Sequence, residues 1–256
     1  MEHQAKFMAI AIKTPQEIEK MRASGSILRK VHEAVGAAVK PGATTMDLER
    51  IADARIKELG AKAAFKGYND YPACLCTSVN NEVIHGIPSA AKVLREGDIV
   101  SVDCGVILDG YYSDAAETYP VGHLAEETQK LLDVTKASLE DAIRQARVGA
   151  TVGDIGAAVQ EMCEGQGYGV VRDFVGHGIG KNMHEEPQVP NFGRRGKGTK
   201  LKAGMVLAIE PMINAGSAEV KVLADGWTAV TVDGSMSAHF EHTVAVTKDG
   251  PVVLTR

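Results

Sequence analysis

The chain has 256 residues, 45% of them apolar, with four cysteines and a formal net charge of −5. That length fits one large domain or two small ones around a full core, and the mild acidity argues against nucleic-acid or membrane-surface affinity. No apolar run reaches membrane-spanning length, and residues 7–12, behind Glu2, are too few for a signal peptide, so a cytoplasmic protein is expected. Cys74, Cys76, Cys104 and Cys163 show no Cys-x-x-Cys spacing and read as free thiols.

Thr14-Pro15-Gln16-Glu17 is a capping box with proline at the first helical position. The stripe Ile18, Met21, Leu28, Val31, Val35 and Val39 carries that helix to Lys40, before Pro41-Gly42. A second helix is expected over 45–60, then loop and short strand over 65–88 with an aromatic cluster at Phe65, Tyr68 and Tyr71. The β-branched residues Ile99, Val100, Val102, Val106 and Ile107 predict a strand, and Asp109-Gly110 predicts a two-residue hairpin turn. This turn sets Leu108 against Tyr111, Asp103 against Ala116 and Asp114 against Gly105. Asp103 and Asp114 then share one face, within about 7–8 Å. Two such carboxylates repel and are costly to bury without a cation; from the hairpin alone, the wet face of a half-exposed sheet is an equal alternative. Further along, helices are expected over 125–147 and 152–165, strand and glycine turn over 172–180, and a polar loop over 191–204. Strands follow from Leu201 onward, with turns at Asp225-Gly226 and Asp233-Gly234.

An internal repeat organises these elements. The block from Pro41 to Asp47 is echoed from Val148 to Asp154, with an offset of 107 residues from Gly42 to Gly149. Gly60 and Gly167 keep the offset, as do the blocks from Leu94 to Asp103 and from Leu201 to Glu210. Two related halves, about 14–120 and 121–256 of a single domain, imply an α+β fold with a pseudo-twofold axis. Glu210 then stands where Asp103 stands. Glu241, on a return strand, resembles Asp114 once about twenty inserted residues are allowed for.

Four carboxylates near one axis need cations. His177, between Gly176 and Gly178, sits on a glycine-lined turn where a ligand can approach closely. Oxygen-rich ligation with one imidazole and no thiolate suits divalent Mn, Fe, Co, Mg or Zn, and five ligands leave room for two ions. Competing motifs fail. A phosphate loop at Gly176 to Lys181 lacks its glycine at Val175 and its hydroxyl at Asn182, and a zinc-protease helix from His184-Glu185 meets Gln188 at its second histidine. The basic cluster Arg194, Arg195, Lys197, Lys200 and Lys202 reads as a solvated loop, with ribosomal RNA contact the minority reading.

The chain resembles the type I methionine aminopeptidases, metallopeptidases of the pita-bread fold, over nearly its whole length from Thr14. The resemblance is carried by the segments at 83–88, 97–103, Asp114, 177–180, 184–187, 208–211 and 240–243. It implies Asp103, Asp114, His177, Glu210 and Glu241 as ligands of two divalent ions, with a bridging hydroxide attacking the carbonyl after the N-terminal methionine. It implies Glu210 as general base, His85 contacting the scissile amide, and His184 donating to the carbonyl oxygen as it becomes anionic. It also implies Tyr68, Tyr71, Cys76 and Trp227 as walls for the thioether. Phe65 and Met183 depart from it, standing where well-known bacterial relatives carry Cys and Phe. The substrate expected is the initiator methionine of nascent chains with a small second residue, and the default state is a monomer without DNA or membrane partners. An X-Pro peptidase of the same fold, which usually carries a separate N-terminal domain that this chain has no room for, is the competing enzyme. A metal-free binding module is the competing non-enzyme.

Overall fold

A computed structural model describes residues 9–256; Glu2 and the start of the apolar run at 7–12 lie outside the described residues. The first half contains α1 (Pro15–Gly36), α2 (Thr45–Glu58), β1 (Lys62–Ala63), β2 (Leu75–Val79), β3 (Glu82–Ile84), β4 (Ile99–Leu108) and β5 (Tyr111–Pro120). The second contains α3 (Glu126–Gln145), α4 (Val152–Glu164), β6 (Gly169–Val170), β7 (Gly176–Gly178), β8 (Glu185–Val189), β9 (Val206–Ile209) and β10 (Met212–Asn214). It continues with β11 (Val220–Val222), β12 (Ala229–Thr231), β13 (Ser237–His239), β14 (His242–Thr247) and β15 (Gly250–Val253). Each half lays two helices on the outer face of antiparallel strands: Leu28, Val31, Leu48 and Ile56 pack beneath Val100 and Val102, and Leu131, Leu139, Ile155 and Val159 pack beneath Leu207 and Ile209. Among the described residues no helix is long and apolar enough to cross a membrane.

The hairpin register follows its turn. Asp109 and Gly110 have φ of 49° and 79°, both left-handed as a type I′ turn needs. Leu108 therefore opposes Tyr111, Asp103 opposes Ala116 and Asp114 opposes Gly105. The first helix differs from expectation, ending at Gly36 rather than Lys40. Pro41 disfavours helix at the residue before it, and the early turn lets the Gly42 N–H reach the Leu94 carbonyl at 2.8 Å.

The repeat is a structural one. Thr44 bridges Val93 as Thr151 bridges Lys200, both pairs 107 residues apart, and both threonines close capping boxes, with Asp47 and Asp154. On the return strands the offset lengthens to 125, as between Thr118 and Thr243, because the β11–β12 hairpin is inserted. The register corrects one expectation: Glu241 matches Ala116, and the residue matching Asp114 is His239, which opposes Met212 as Asp114 opposes Gly105. At the seam between the halves, the Thr243 hydroxyl accepts from the Asp114 N–H at 3.0 Å and donates to its carbonyl at 2.7 Å. The Thr118 hydroxyl does the same for His239, at 2.9 and 2.8 Å.

Helix α1 docks closely against the chain just after β15. A Cβ on Gly25 would lie 2.1 Å from the Leu254 carbonyl oxygen, a backbone atom that cannot yield. Gly25→Ala is expected to cost about 1–3 kcal/mol by overpacking, measured as a lower urea midpoint with an unchanged slope.

Candidate metal centre and substrate pocket

All the residues singled out from the sequence line one pocket of about 240 Å³: Asp103, Asp114, His177, Glu210, Glu241, His85, His184, Tyr68, Tyr71, Cys76 and Trp227. They arrive from both halves. Strand β4 supplies Asp103, whose neighbour across the β2 ladder is Cys76, and β5 supplies Asp114. His177 lies on β7, Glu210 follows β9, and Glu241 occupies the break between β13 and β14. Its N–H donates to the Ala116 carbonyl at 2.9 Å, so the seam itself places it.

Electrostatics set this cluster apart. Burial pushes the Asp103 carboxyl up to about 7. Burial, then the charges of Glu241 and Asp103, raises Asp114 well above the usual carboxylate range. Glu210 and Glu241 are raised likewise, by burial first and by neighbouring acids second. Burial and the nearby His184 push His177 down to about 4, so it is neutral. Its Nδ1–H donates to the Gly178 carbonyl at 2.9 Å, leaving the Nε2 lone pair 3.8 Å from Asp114 Oδ2 and 3.6 Å from Glu210 Oε1. An imidazole whose second nitrogen is tied to a backbone carbonyl is oriented as a metal ligand.

The donor set fits divalent metal. Asp114, His177 and Glu241 each offer a ligand atom, all within 4.8 Å of one another. Asp103 Oδ1, Asp114 Oδ1 and Glu241 Oε1 are buried with no hydrogen-bond partner among the described residues, although buried polar atoms are rarely left unpaired. A cation coordinated by these oxygens would satisfy all three and offset the repulsion.

The pocket's other wall is apolar and aromatic. The Tyr71 and Trp227 rings meet edge to face at 5.0 Å, and Met183 and Phe65 are buried beside them. Phe65 fits because its strand neighbour lacks a side chain: a Cβ on Gly105 would lie 2.7 Å from the Phe65 ring. His85, held at φ 59°, stands edge-on to Trp227 and to Phe174 at 6.2 and 5.7 Å. Burial keeps it neutral, at about 4.

At the mouth, the partly exposed His184 has its Nδ1 2.7 Å from the Tyr68 hydroxyl. Burial raises the Tyr68 pKa and lowers that of His184, so a protonated phenol meets a neutral imidazole.

One neighbour escaped the sequence reading. His239 is buried, its Nε2 without a hydrogen-bond partner among the described residues and 3.8 Å from Glu210 Oε2. Its signal in the sequence is the repeat: with the halves aligned through the pairing of the return strands, His239 is the counterpart of Asp114.

The model of metallopeptidase family M24 matches residues 19–248. The chain belongs to this family. The methionine aminopeptidase of Clostridium acetobutylicum is 54% identical over 96% of this chain and 98% of its own length. The solved methionine aminopeptidase of Thermotoga maritima superposes with a TM-score of 0.95 at 48% identity, covering 97% of this chain and 100% of that one. The solved prolidase of Pyrococcus horikoshii shares the fold at a TM-score of 0.77 and 23% identity, but this chain spans only 63% of its length. The pita-bread fold expected from the sequence is thus the fold of this M24 chain, and membership implies dependence on a divalent metal.

Proposed function

We propose that the chain removes the N-terminal methionine from newly made polypeptides, above all those with a small second residue. The observation that carries this reading is the meeting of a buried carboxylate–imidazole cluster with a narrow, aromatic-walled pocket suited to one unbranched thioether. In this reading Asp103, Asp114, His177, Glu210 and Glu241 hold two divalent ions, whose four positive charges match the four carboxylates. Bound there, such ions polarise the scissile carbonyl and make water acidic enough to serve as nucleophile near neutral pH.

The chain's own groups account for the remaining steps. Tyr71, Trp227, Cys76 and Met183 enclose the methionine side chain and exclude water from it. The neutral His85 hydrogen-bonds the scissile amide. The Tyr68 hydroxyl donates to His184 Nδ1, which puts the imidazole proton on Nε2, where it can donate to the carbonyl oxygen as negative charge develops. Glu210, buried between His177 and His239, takes the proton of the attacking water and returns it to the leaving amine.

Tyr68→Phe removes the bond that selects the tautomer and is expected to lower kcat about tenfold with little change in KM, read from initial rates. The function itself is tested by comparing release of methionine from Met-Ala-Ser with hydrolysis of Ala-Pro peptides by metal-loaded protein. Turnover of the first alone is expected. Turnover of the second alone would replace this reading with that of an X-Pro peptidase, and no turnover without metal binding would leave a binding module.

A further inference from the structure

The segment between β7 and β8 carries Met183 and His184 into the pocket, yet what holds it lies outside the pocket. Glu185, directly after His184, turns its carboxylate beneath the segment: Oε1 accepts from the Asn182 N–H at 3.1 Å, and Oε2 accepts from Lys13 Nζ at 2.6 Å. Both side chains are buried, 6% and 8% exposed. The Lys13 stem runs against Gly180, where a Cβ would lie 2.5 Å from Lys13 Cε and 2.8 Å from Glu185 Oε1. Lys13 is itself fixed at its backbone, its N–H donating to the Gly204 carbonyl at 2.7 Å, while the Gly204 N–H donates to Val246 on β14. An unbroken line of hydrogen bonds therefore runs from β14 through Gly204 and Lys13 to Glu185, and so to the residue beside His184.

We infer that the Lys13–Glu185 ion pair is a positioning device for the reaction, setting the height and angle of His184 over the substrate carbonyl. The inference rests on the aminopeptidase reading above. Neither residue lines the pocket that holds the candidate ligands and the aromatic wall. A buried pair gains little stability over apolar side chains of similar size, whereas its directional bonds specify one conformation. Apolar contact could keep the segment packed without fixing its height. A misplacement of about 1 Å at a catalytic group is enough to cost roughly 100-fold in rate.

The test is the double variant Lys13→Met with Glu185→Leu, which removes both charges together and avoids stranding one in the interior. Its kcat on Met-Ala-Ser is expected to fall about 10–100-fold. Tm should stay within about 5 °C of the parent, and inhibition by free methionine should change by less than about twofold. The ring nitrogen resonances of His184 in 15N-histidine-labelled protein should shift. A parental kcat with an unmoved His184 signal overturns the proposal. So does a collapse of Tm, which would make the pair a stabilising element only. Failure of the parent to cleave Met-Ala-Ser would instead refute the aminopeptidase reading, and the His184 resonances would still report whether the pair positions that ring.

Discussion

Asp114→Asn is expected to abolish turnover, by about 10³-fold or more, while the metal-free protein becomes more stable. The sign follows from the environment. In the folded chain the Asp114 carboxyl is raised well above its ordinary 3.8, first by burial and then by Glu241 and Asp103. The folded state therefore binds the proton more tightly than the unfolded state, and the penalty for ionising the group grows as pH rises above that ordinary value. Asparagine keeps the shape without the charge, so at neutral pH the penalty is removed and Tm rises. It also withdraws an oxygen of a proposed ligand from the cluster, so activity is expected to be lost. Glu210→Gln should behave alike, since burial, Asp114 and Asp103 raise it in the same direction. The measurements are methionine release by metal-loaded protein and thermal unfolding in chelator. Retained turnover in either variant would refute the assignment of the site, and a lower Tm in chelator would refute the electrostatic account.

The second large effect is expected at the seam. Thr243→Val deletes a hydroxyl that serves both the N–H and the carbonyl of Asp114, inside a residue with no exposed surface. Two buried backbone groups lose their partners, at about 3 kcal/mol in total, or roughly 10 °C in Tm for a chain of this size. Because the backbone released is that of a proposed ligand, metal affinity should fall as well. Thr118→Val breaks the reciprocal bonds, to His239. A similar loss of Tm is expected there with a smaller effect on metal affinity, because His239 stands beside Glu210 and not among the proposed ligands. Calorimetric unfolding and metal titration of the pair separate the two outcomes.

Much of this was legible because the decisive features are local. Asp109-Gly110 fixes a turn, the turn fixes a register, and the register puts Asp103 and Asp114 on one face. Thr14 announces a helix start with an acid three residues on. What stayed hidden depends on distant parts of the chain. Glu185 begins a strand because β8 pairs with β7, and its partner Lys13 is 172 residues away. The left-handed backbone of His85 has no local signature such as glycine. The hairpin inserted between β10 and β13 shifts the alignment of the halves, so acid spacing alone pairs Glu241 with Asp114 where the strand register pairs His239 with it.

The crossed threonine bonds also constrain how the molecule is assembled. Each lobe supplies a hydroxyl that pairs backbone groups of the other, and the proposed ligands are divided two and three between them, so neither lobe separately has a finished coordination sphere. Metal capture thus becomes a report on docking: two fragments produced apart should remain weak chelators, and mixing them should restore tight binding only as fast as they find each other.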